Sequence, residues 1–528
     1  MGATRSLLTD PVVPPQPLAG LLARLRAAGL LVADVPEADE VLIHRLAEDS
    51  RDVGPDTLFI ARKGDHSDGH LFIEKAVQQG AVAAIVDADW LREATTSAGE
   101  RSPATSPLGK GERLPSAVFV PVSDTRAALA EVANTFYDYP SLSLNILGVT
   151  GTNGKTTTAF LLYHLMMALG EKTGLVGTIE NRIGETAIAT DYTTPEAIEL
   201  NRVLRTMVDE DCSTCAMEVS SHGLALDRVR GQRFRVGVFT NLTHDHLDFH
   251  GSAEAYEAAK KKLFSGLQPD SAAIVNIDDP AWERLVGNIN ARILTYGTGD
   301  EANFQVDVLD NALDGLLLRL DGIERKFRLA GRFNALNIAA AYAVGRELGY
   351  SQEDVLGAIT SAPGVPGRFE TFRSQDGVLG VVDYAHTPDA LDNVLRTARQ
   401  MMDPNRKLYA VFGCGGDRDR TKRPKMAAVA EAHANHVILT NDNPRTEDPM
   451  EILFEIKAGL QNSSAATMLS DRAKAIETAV AEAASGDVVV VAGKGHEDYQ
   501  IIGTEKRPFD DRIVVKEALA RRPLTAYR

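Results

Sequence analysis

The run Gly-Val-Thr-Gly-Thr-Asn-Gly-Lys-Thr-Thr-Thr at residues 148–158 constrains this chain more than any other segment. It follows the apolar, strand-like residues 142–147 and opens a helix-like run, 159–169. A strand, a glycine-rich turn and a helix N-terminus in that order make a phosphate cradle, because backbone N–H groups and the helix dipole favour anionic oxygens. Gly151, Thr152, Asn153, Gly154, Lys155, Thr156 and Thr157 are then the candidate nucleotide contacts, with Lys155 reaching the outer phosphates and the Thr156 hydroxyl holding Mg²⁺. The spacing departs from the common P-loop, which wants a glycine five residues before Gly154; that position is Val149, and glycines stand at 148, 151 and 154. A purely structural turn would leave Lys155 without a role, so ATP-type nucleotide binding is the expectation.

At 528 residues the chain is long enough for two to four domains. Its net charge of −17 argues against nucleic acid or an anionic membrane surface as partner. An anionic substrate would need local cations, helix N-termini or divalent metal to overcome that field. Three cysteines, Cys212, Cys215 and Cys414, are too few for a disulfide framework and suit a reducing cytosol. The Cys212/Cys215 pair has metal spacing but no second pair at zinc-finger distance, and reads as structural thiols. No stretch approaches a membrane span, and Arg24 and Arg26 interrupt the one leader-like apolar run, so a cytoplasmic protein is expected.

The fold class expected is α/β in three domains. Residues 1–143 form a small α/β domain, with an irregular Pro-rich start over 1–17, helical spacing of Leu18, Leu21, Leu22 and Leu25, strands at 57–61 and 81–86, and a helix at 71–79. The polar, Pro/Gly-rich residues 93–115 read as an exposed insertion. Residues 144–366 form a central parallel-sheet domain of the P-loop ATPase kind, with strands at 214–219, 236–240 and 272–276 and a helix at 335–348. Residues 367–528 form a Rossmann-like domain, with a hinge near 363–372 and strands at 378–383, 407–413, 436–440 and 487–492. In such sheets ligands bind beyond the C-terminal strand ends.

Several polar clusters follow these strands. Glu218 ends one strand, and Asn-Leu-Thr-His-Asp-His-Leu-Asp at 241–248 follows the next, so Glu218 and a histidine there are candidate metal ligands. The helix-like run 255–264 looks ordinary, with a solvated lysine face and nothing that marks Lys260. Gly-Cys-Gly-Gly-Asp-Arg at 413–418 imitates a dinucleotide fingerprint without matching it. Asp442-Asn443-Pro444-Arg445 places a carboxylate, an amide and a guanidinium on one turn, which suits a zwitterionic amino acid. Gly493-Lys494-Gly495-His496-Glu497 adds a second acidic turn.

These motifs together resemble the Mur ligases, ATP-dependent amide-forming enzymes of bacterial cell-wall synthesis, over roughly residues 45–515. The resemblance rests on Asp49-Ser50-Arg51, residues 148–158, Thr193-Thr194-Pro195, 217–222, 245–248, Asn334 to Asn337, 367–370, Asp383-Tyr384-Ala385-His386, 413–418, 442–445 and 493–497. It implies a uridine diphosphate end bound by Ser50 and the Asp65-His66-Ser67 loop, and a muramoyl dipeptide lying along Thr193, Thr194, Ser221 and Arg228. It implies that Asn276, Asn334, Asn337, Arg368 and Asp383 lie around ATP. Lys155, Glu218, His246 and Lys260 are the implied catalytic set, with Lys260 carbamylated (N6-carboxylysine). The implied Mg²⁺ ligands are Thr156, Glu218, His246 and the Lys260 carbamate. Position 200 is a leucine where some relatives carry a glutamine nearby, so that substrate contact is not carried over. The Asp-Asn-Pro-Arg form resembles the branch that adds meso-diaminopimelate to a UDP-N-acetylmuramoyl dipeptide, with Arg418, Asp442, Asn443, Arg445, Gly493 and Glu497 forming the amino-acid pocket. A monomer is expected. A lysine-adding sister, a folylpolyglutamate synthetase-like ligase and a non-catalytic ATP-driven switch stay open as alternatives.

Overall fold

The computed structural model describes residues 11–64, 67–100, 117–243, 245–312, 315–462 and 466–522. Asp65, His66 and residues 101–116 of the expected insertion lie outside them. The architecture is α/β, carried on three sheets of four or more strands with two further two-stranded sheets, and the chain divides into two compact units: residues 1–155 with 166–294, and 156–165 with 295–528.

The first unit opens with a four-stranded parallel sheet, Arg45–Ala47, Thr57–Ile60, Ala81–Asp87 and Val118–Val122, in sequence order. Ala83 and Ile85 pack into one apolar cluster and Ala84 and Val86 into another, so the strand is covered on both faces and reads as a continuous apolar run. Gln16–Pro17, expected to be irregular, pairs antiparallel with Leu42–Ile43. The expected 71–79 helix starts as a 3₁₀ turn, Gly69–Phe72, and becomes α-helical over Ile73–Gln78. Residues 93–100 are no loop: they continue the helix Ala88–Glu100.

The larger sheet of this unit runs Thr186–Ile188, Asn181–Ile183, Thr173–Val176, Thr214–Glu218, Asn145–Thr150, Phe234–Phe239, Ala272–Asn276, Arg292–Gly297 in spatial order. Glu218 pairs with Val149 and Phe239 with Thr150, so three consecutive sheet positions release their loops at one edge. The sequence placed the first of these strands at 142–147. It begins at Asn145, in register with Thr214, and residues Pro140–Leu142 form a 3₁₀ turn outside the ladder. The following helix starts at Lys155, four residues before the apolar run that suggested it. Gly148 belongs to the strand, where a Cβ would come 2.6 Å from Phe234 Cδ1. Its glycine answers to sheet packing, which explains the displaced glycine spacing.

The second unit contains an antiparallel meander that the sequence analysis passed over: Phe304–Ala312, Gly315–Leu320 and Ile323–Phe327. Leu320 pairs with Ile323 across a two-residue turn in which Asp321 and Gly322 both have positive φ, the Asp-Gly hairpin signature. A second sheet runs Glu370–Arg373, Leu379–Asp383, Val488–Ala492, Leu408–Phe412, His436–Leu439, Ala466–Met468, parallel apart from its first pair. Ala492 lies opposite Asp383 and Phe412, and Phe412 opposite Leu439, so the turns at 384, 413, 440 and 493 emerge side by side.

The three cysteines are free and buried; burial pushes the thiol of Cys215 up strongly and that of Cys414 up to about 12, as expected of structural thiols. Among the described residues no helix is long and apolar enough to cross a membrane.

Beneath the second sheet's C-terminal edge, Arg472 and Asp511 form a two-bond ion pair at 2.7 Å, both fully buried, and Arg472 also donates to the carbonyls of Asn441 and Ala492. Breaking a buried pair leaves an uncompensated charge. Arg472→Met is therefore expected to cost about 3–5 kcal/mol in urea unfolding; a loss under about 1 kcal/mol would contradict this account of the edge.

Candidate active site

In the first unit the phosphate loop is braced from the neighbouring strand end. Gly151 has φ +152°, and a Cβ there would lie 1.9 Å from Thr240 Oγ1, so only glycine fits. Thr240 donates its hydroxyl to the Asn153 carbonyl at 2.6 Å, and the Asn153 amide donates to Asn241 Oδ1 at 2.9 Å. The Thr152 amide donates to the Asn241 carbonyl at 2.8 Å, and the Thr152 and Tyr256 hydroxyls lie 3.0 Å apart. Asn276, at the end of the adjacent strand, donates to the Thr240 carbonyl at 2.8 Å. The strand that precedes the loop supplies its position, and the loops after Phe239 and Asn276 fix its shape.

Lys155 donates to the carbonyls of Gly151 and Thr152 at 2.9 and 2.8 Å. Lys260 donates to the same Gly151 carbonyl at 2.7 Å and lies over the Tyr256 ring at 4.5 Å. Lys260 is 1% exposed. The expectation of a solvated lysine face is overturned here: on the helix Ala253–Ser265, Lys261 is half-buried and Lys262 exposed, while Lys260 turns inward with Tyr256, Leu263 and Phe264. Periodicity carries the missed signal, since position 260 shares the apolar stripe of 256, 263 and 264. Burial, then the Lys155 cation, drive the Lys260 amine well below its usual pKa, with Asp245 opposing. A lowered pKa favours the neutral amine, which is the nucleophilic form.

A second cluster surrounds Glu218. Its Oε1 accepts from the Thr178 amide at 2.7 Å and its Oε2 from the Thr178 hydroxyl at 3.1 Å. Thr178 and Thr193 hydroxyls lie 3.0 Å apart. Thr194 donates to the Glu218 carbonyl at 2.9 Å and accepts from the Ser220 amide. Arg228 donates to the Thr194 carbonyl at 2.9 Å, pairs with Glu196 at 2.6 Å and faces the Tyr192 ring. The structure thus gathers Thr193, Thr194, Arg228 and Glu218, and Ser221 is buried at the start of the short helix Ser221–Ala225. Thr178, Glu196 and Tyr192 are site neighbours that the sequence analysis missed. Glu196 also lies 3.5 Å from Arg62, which pairs with the half-buried Glu48 at 2.6 Å. Burial raises the Glu48 pKa against the pull of Arg62. Ser50 is buried in the turn capped by Asp49, and the Ser67 carbonyl accepts from the Gly64 amide.

His246 stands in left-handed backbone (φ +51°), half-exposed, with its ring 4.8 Å from that of His222 and 6.4 Å from Tyr256. Lys260 and His246 therefore face the same tyrosine. Among the described residues no three His, Cys, Asp or Glu side chains gather closely enough to hold a metal ion. Mg²⁺ prefers oxygen donors. Glu218 supplies a buried carboxylate, and Lys260 becomes an oxygen donor only as a carbamate, a form its neutral amine can adopt. On that chemistry the set fits.

In the second unit Asn334 and Asn337 are buried on the helix Phe333–Glu347. Asn337 donates to Asn334 Oδ1 at 2.9 Å and accepts from the Thr158 hydroxyl at 3.3 Å. Arg368 donates to Thr156 Oγ1 at 3.3 Å and stacks on Tyr384 at 4.6 Å. Asp383 accepts from the amides of Phe369 and Ala385, and burial raises its pKa against Arg368. The expected amino-acid turn is rigid: Arg445, at φ +52°, donates to the Gly416 carbonyl at 2.8 Å, and its amide donates to the Ile501 carbonyl. Asp442 is 7% exposed, and its Oδ1 has no hydrogen-bond partner. Asn443 donates to Glu497 Oε2 at 3.0 Å, and a Cβ on Gly493 would come 3.0 Å from Asp442 Oδ2. Arg418 is exposed and donates to the Asp417 carbonyl. Asp442, Asn443, Gly493 and Glu497 thus converge, with Arg445 anchored beside Gly416.

The chain has relatives among known proteins. Family models match in series: the Mur ligase family catalytic domain over residues 42–137, the Mur ligase middle domain over 149–345, and the Mur ligase glutamate ligase domain over 367–495. A UDP-N-acetylmuramoyl-L-alanyl-D-glutamate--2,6-diaminopimelate ligase of Cytophaga hutchinsonii is 42% identical over 482 residues, covering 91% of this chain and 95% of its own. One of the same name from Thermosynechococcus vestitus is 43% identical over 487 residues, covering 91% and 94%. A solved structure of a ligase of that name is 34% identical, covers 93% of this chain and 96% of its own, and superposes with a TM-score of 0.63. The chain belongs to the Mur ligase family.

Proposed function

We propose that this chain is an ADP-forming ligase that joins meso-diaminopimelate to UDP-N-acetylmuramoyl-L-alanyl-D-glutamate, in peptidoglycan precursor synthesis. The observation that carries this reading is the second-unit turn where buried Asp442 offers an unbonded carboxylate oxygen and Arg445 is anchored beside it. An ammonium suits the former and a carboxylate the latter. Diaminopimelate has a distal carboxylate for Arg445 that lysine lacks. The relatives at 42% and 43% identity that cover nine-tenths of the chain carry the same activity in their names.

The reading assigns residues 1–143 to the uridine end of the substrate, 144–366 to ATP and 367–528 to the amino acid. The D-glutamate γ-carboxylate attacks the ATP γ-phosphorus, forming an acyl phosphate and releasing ADP. The diaminopimelate amine then attacks the acyl carbon, phosphate leaves and the amine's proton is lost. No side-chain nucleophile is needed, so the residues act by position and charge. The loop amides and Lys155 hold the phosphates. Thr193, Thr194, Ser221 and Arg228 hold the dipeptide, with Arg228 oriented by Glu196. Ser50, Asp65, His66 and Ser67 hold the uridine end. Asn276, Asn334, Asn337, Arg368 and Asp383 frame the nucleotide. Magnesium, held by Thr156, Glu218, His246 and carbamylated Lys260, would supply charge neutralisation between the two anionic reactants. The reading makes the enzyme a bacterial cytoplasmic monomer.

Phosphate release with ATP, Mg²⁺ and the UDP-dipeptide tests it. Release is expected with meso-diaminopimelate and not with L-lysine or without amino acid; equal rates with lysine would move the chain to the lysine-adding branch. Arg445→Ala is expected to lose about 1.5–3 kcal/mol of transition-state binding, ~10- to 150-fold in kcat/KM for diaminopimelate. A change under threefold removes Arg445 from the pocket. Lys260→Ala is expected to lose at least ~100-fold in kcat, with partial rescue by acetate or formate. Wild-type turnover in that variant would sink the carbamate.

A further inference from the structure

The amino-acid turn hides a cation that the function above does not use. Lys494, between the strand Val488–Ala492 and Gly495, is 0% exposed. Its Nζ lies 2.9 Å from Glu497 Oε2, 3.2 Å from Asn443 Oδ1 and 3.6 Å from Asp442 Oδ1, and 5.4 Å from the Tyr499 ring centre. A fully buried lysine is rare and costs desolvation unless partners repay it. The three polar partners, Glu497, Asn443 and Asp442, all belong to the proposed diaminopimelate pocket.

We infer that Lys494 is a positioning residue for amino-acid recognition: it neutralises Glu497 so that Asp442 alone presents negative charge to the incoming ammonium. The inference rests on the functional reading given above. The charge balance supports it. Asp442, Glu497 and Asp511 cluster at this edge with Lys494 and Arg472, and the Arg472–Asp511 pair satisfies itself. Lys494 is drawn to Glu497, at hydrogen-bond distance, more closely than to Asp442. Glu497 Oε2 also accepts from Asn443 Nδ2, so that oxygen is doubly engaged. Asp442 Oδ1 is buried and lacks a hydrogen bond. One oxygen of Glu497 is thus held by two donors, while Asp442 Oδ1 accepts no hydrogen bond and lies 3.6 Å from the lysine. Asn443 links the two functions, since its Oδ1 accepts from Lys494 and from the Ile501 amide, fixing the turn that carries Arg445. Without the lysine, the buried Asp442 and the half-buried Glu497 carboxylates would repel, and one would take up a proton.

The test is the steady-state KM for diaminopimelate and for ATP, with kcat, in Lys494→Met, Lys494→Gln and Lys494→Arg. Lys494→Met is expected to raise the diaminopimelate KM at least tenfold while the ATP KM moves less than threefold. Lys494→Arg, which keeps the cation, is expected to stay closer to wild type than Lys494→Met, an order that a filler role in packing would reverse. A diaminopimelate KM within twofold of wild type in Lys494→Met overturns the inference, as does an equal rise in both KM values. If Lys494→Met does not fold, Lys494→Gln decides: a diaminopimelate KM at least tenfold above wild type with the ATP KM within threefold supports the inference, and a diaminopimelate KM within twofold or a failure to fold overturns it. Wild-type saturation by diaminopimelate tests the underlying functional reading separately, because the Lys494 result is read as a ratio to wild type.

Discussion

The buried amine of Lys260 against the Gly151 carbonyl is the contact on which the first unit's chemistry depends. It brings a second lysine nitrogen to the glycine-rich turn that Lys155 also contacts, and it does so inside the protein. Burial and the neighbouring charge both disfavour the ammonium. A lysine in that environment is either a loss to the fold or a reactive group. Under the proposed function, carbamylation would resolve the conflict by turning a disfavoured cation into an anion beside a remaining one. The surrounding braces from Thr240, Asn241 and Tyr256 then read as a mount for the loop, holding Gly151 in a backbone conformation that only glycine tolerates.

The same economy of charge recurs in the second unit. Lys494 and Arg472 are fully buried cations, and each is repaid by carboxylates at hydrogen-bond distance. They differ in what they leave behind. Arg472 and Asp511 close on each other and stiffen the sheet edge. Lys494 leaves Asp442 without a hydrogen bond on Oδ1. In a chain of net charge −17, local cations decide where an anionic substrate or a zwitterion can dock.

Much of this was legible in the sequence. The parallel strands of the first and last sheets announced themselves as short apolar runs, and the motifs after them mark loops that the ladder brings to one edge: Val149 beside Glu218, Phe412 beside Ala492. The strand at Asn145 was misplaced by three residues, because apolar content cannot show where pairing with Thr214 begins. The meander from Phe304 to Phe327 was missed although Asp321-Gly322 spells its hairpin. Lys260 was read as solvated because its neighbours at 261 and 262 are lysines, and only its place on the Tyr256 stripe pointed inward. Thr178 and Glu196 carry no motif of their own, and Lys494 sits inside the 493–497 motif without a role assigned there; all three matter through what they touch, which only the fold brings together.

The most direct test of this account is ¹³C NMR of the protein equilibrated with ¹³C-labelled bicarbonate. The account predicts a carbamate resonance in the wild type that is absent from Lys260→Ala and strengthened by Mg²⁺. A spectrum without that resonance, or one that survives the substitution, would contradict the claim that the buried Lys260 amine is built to react.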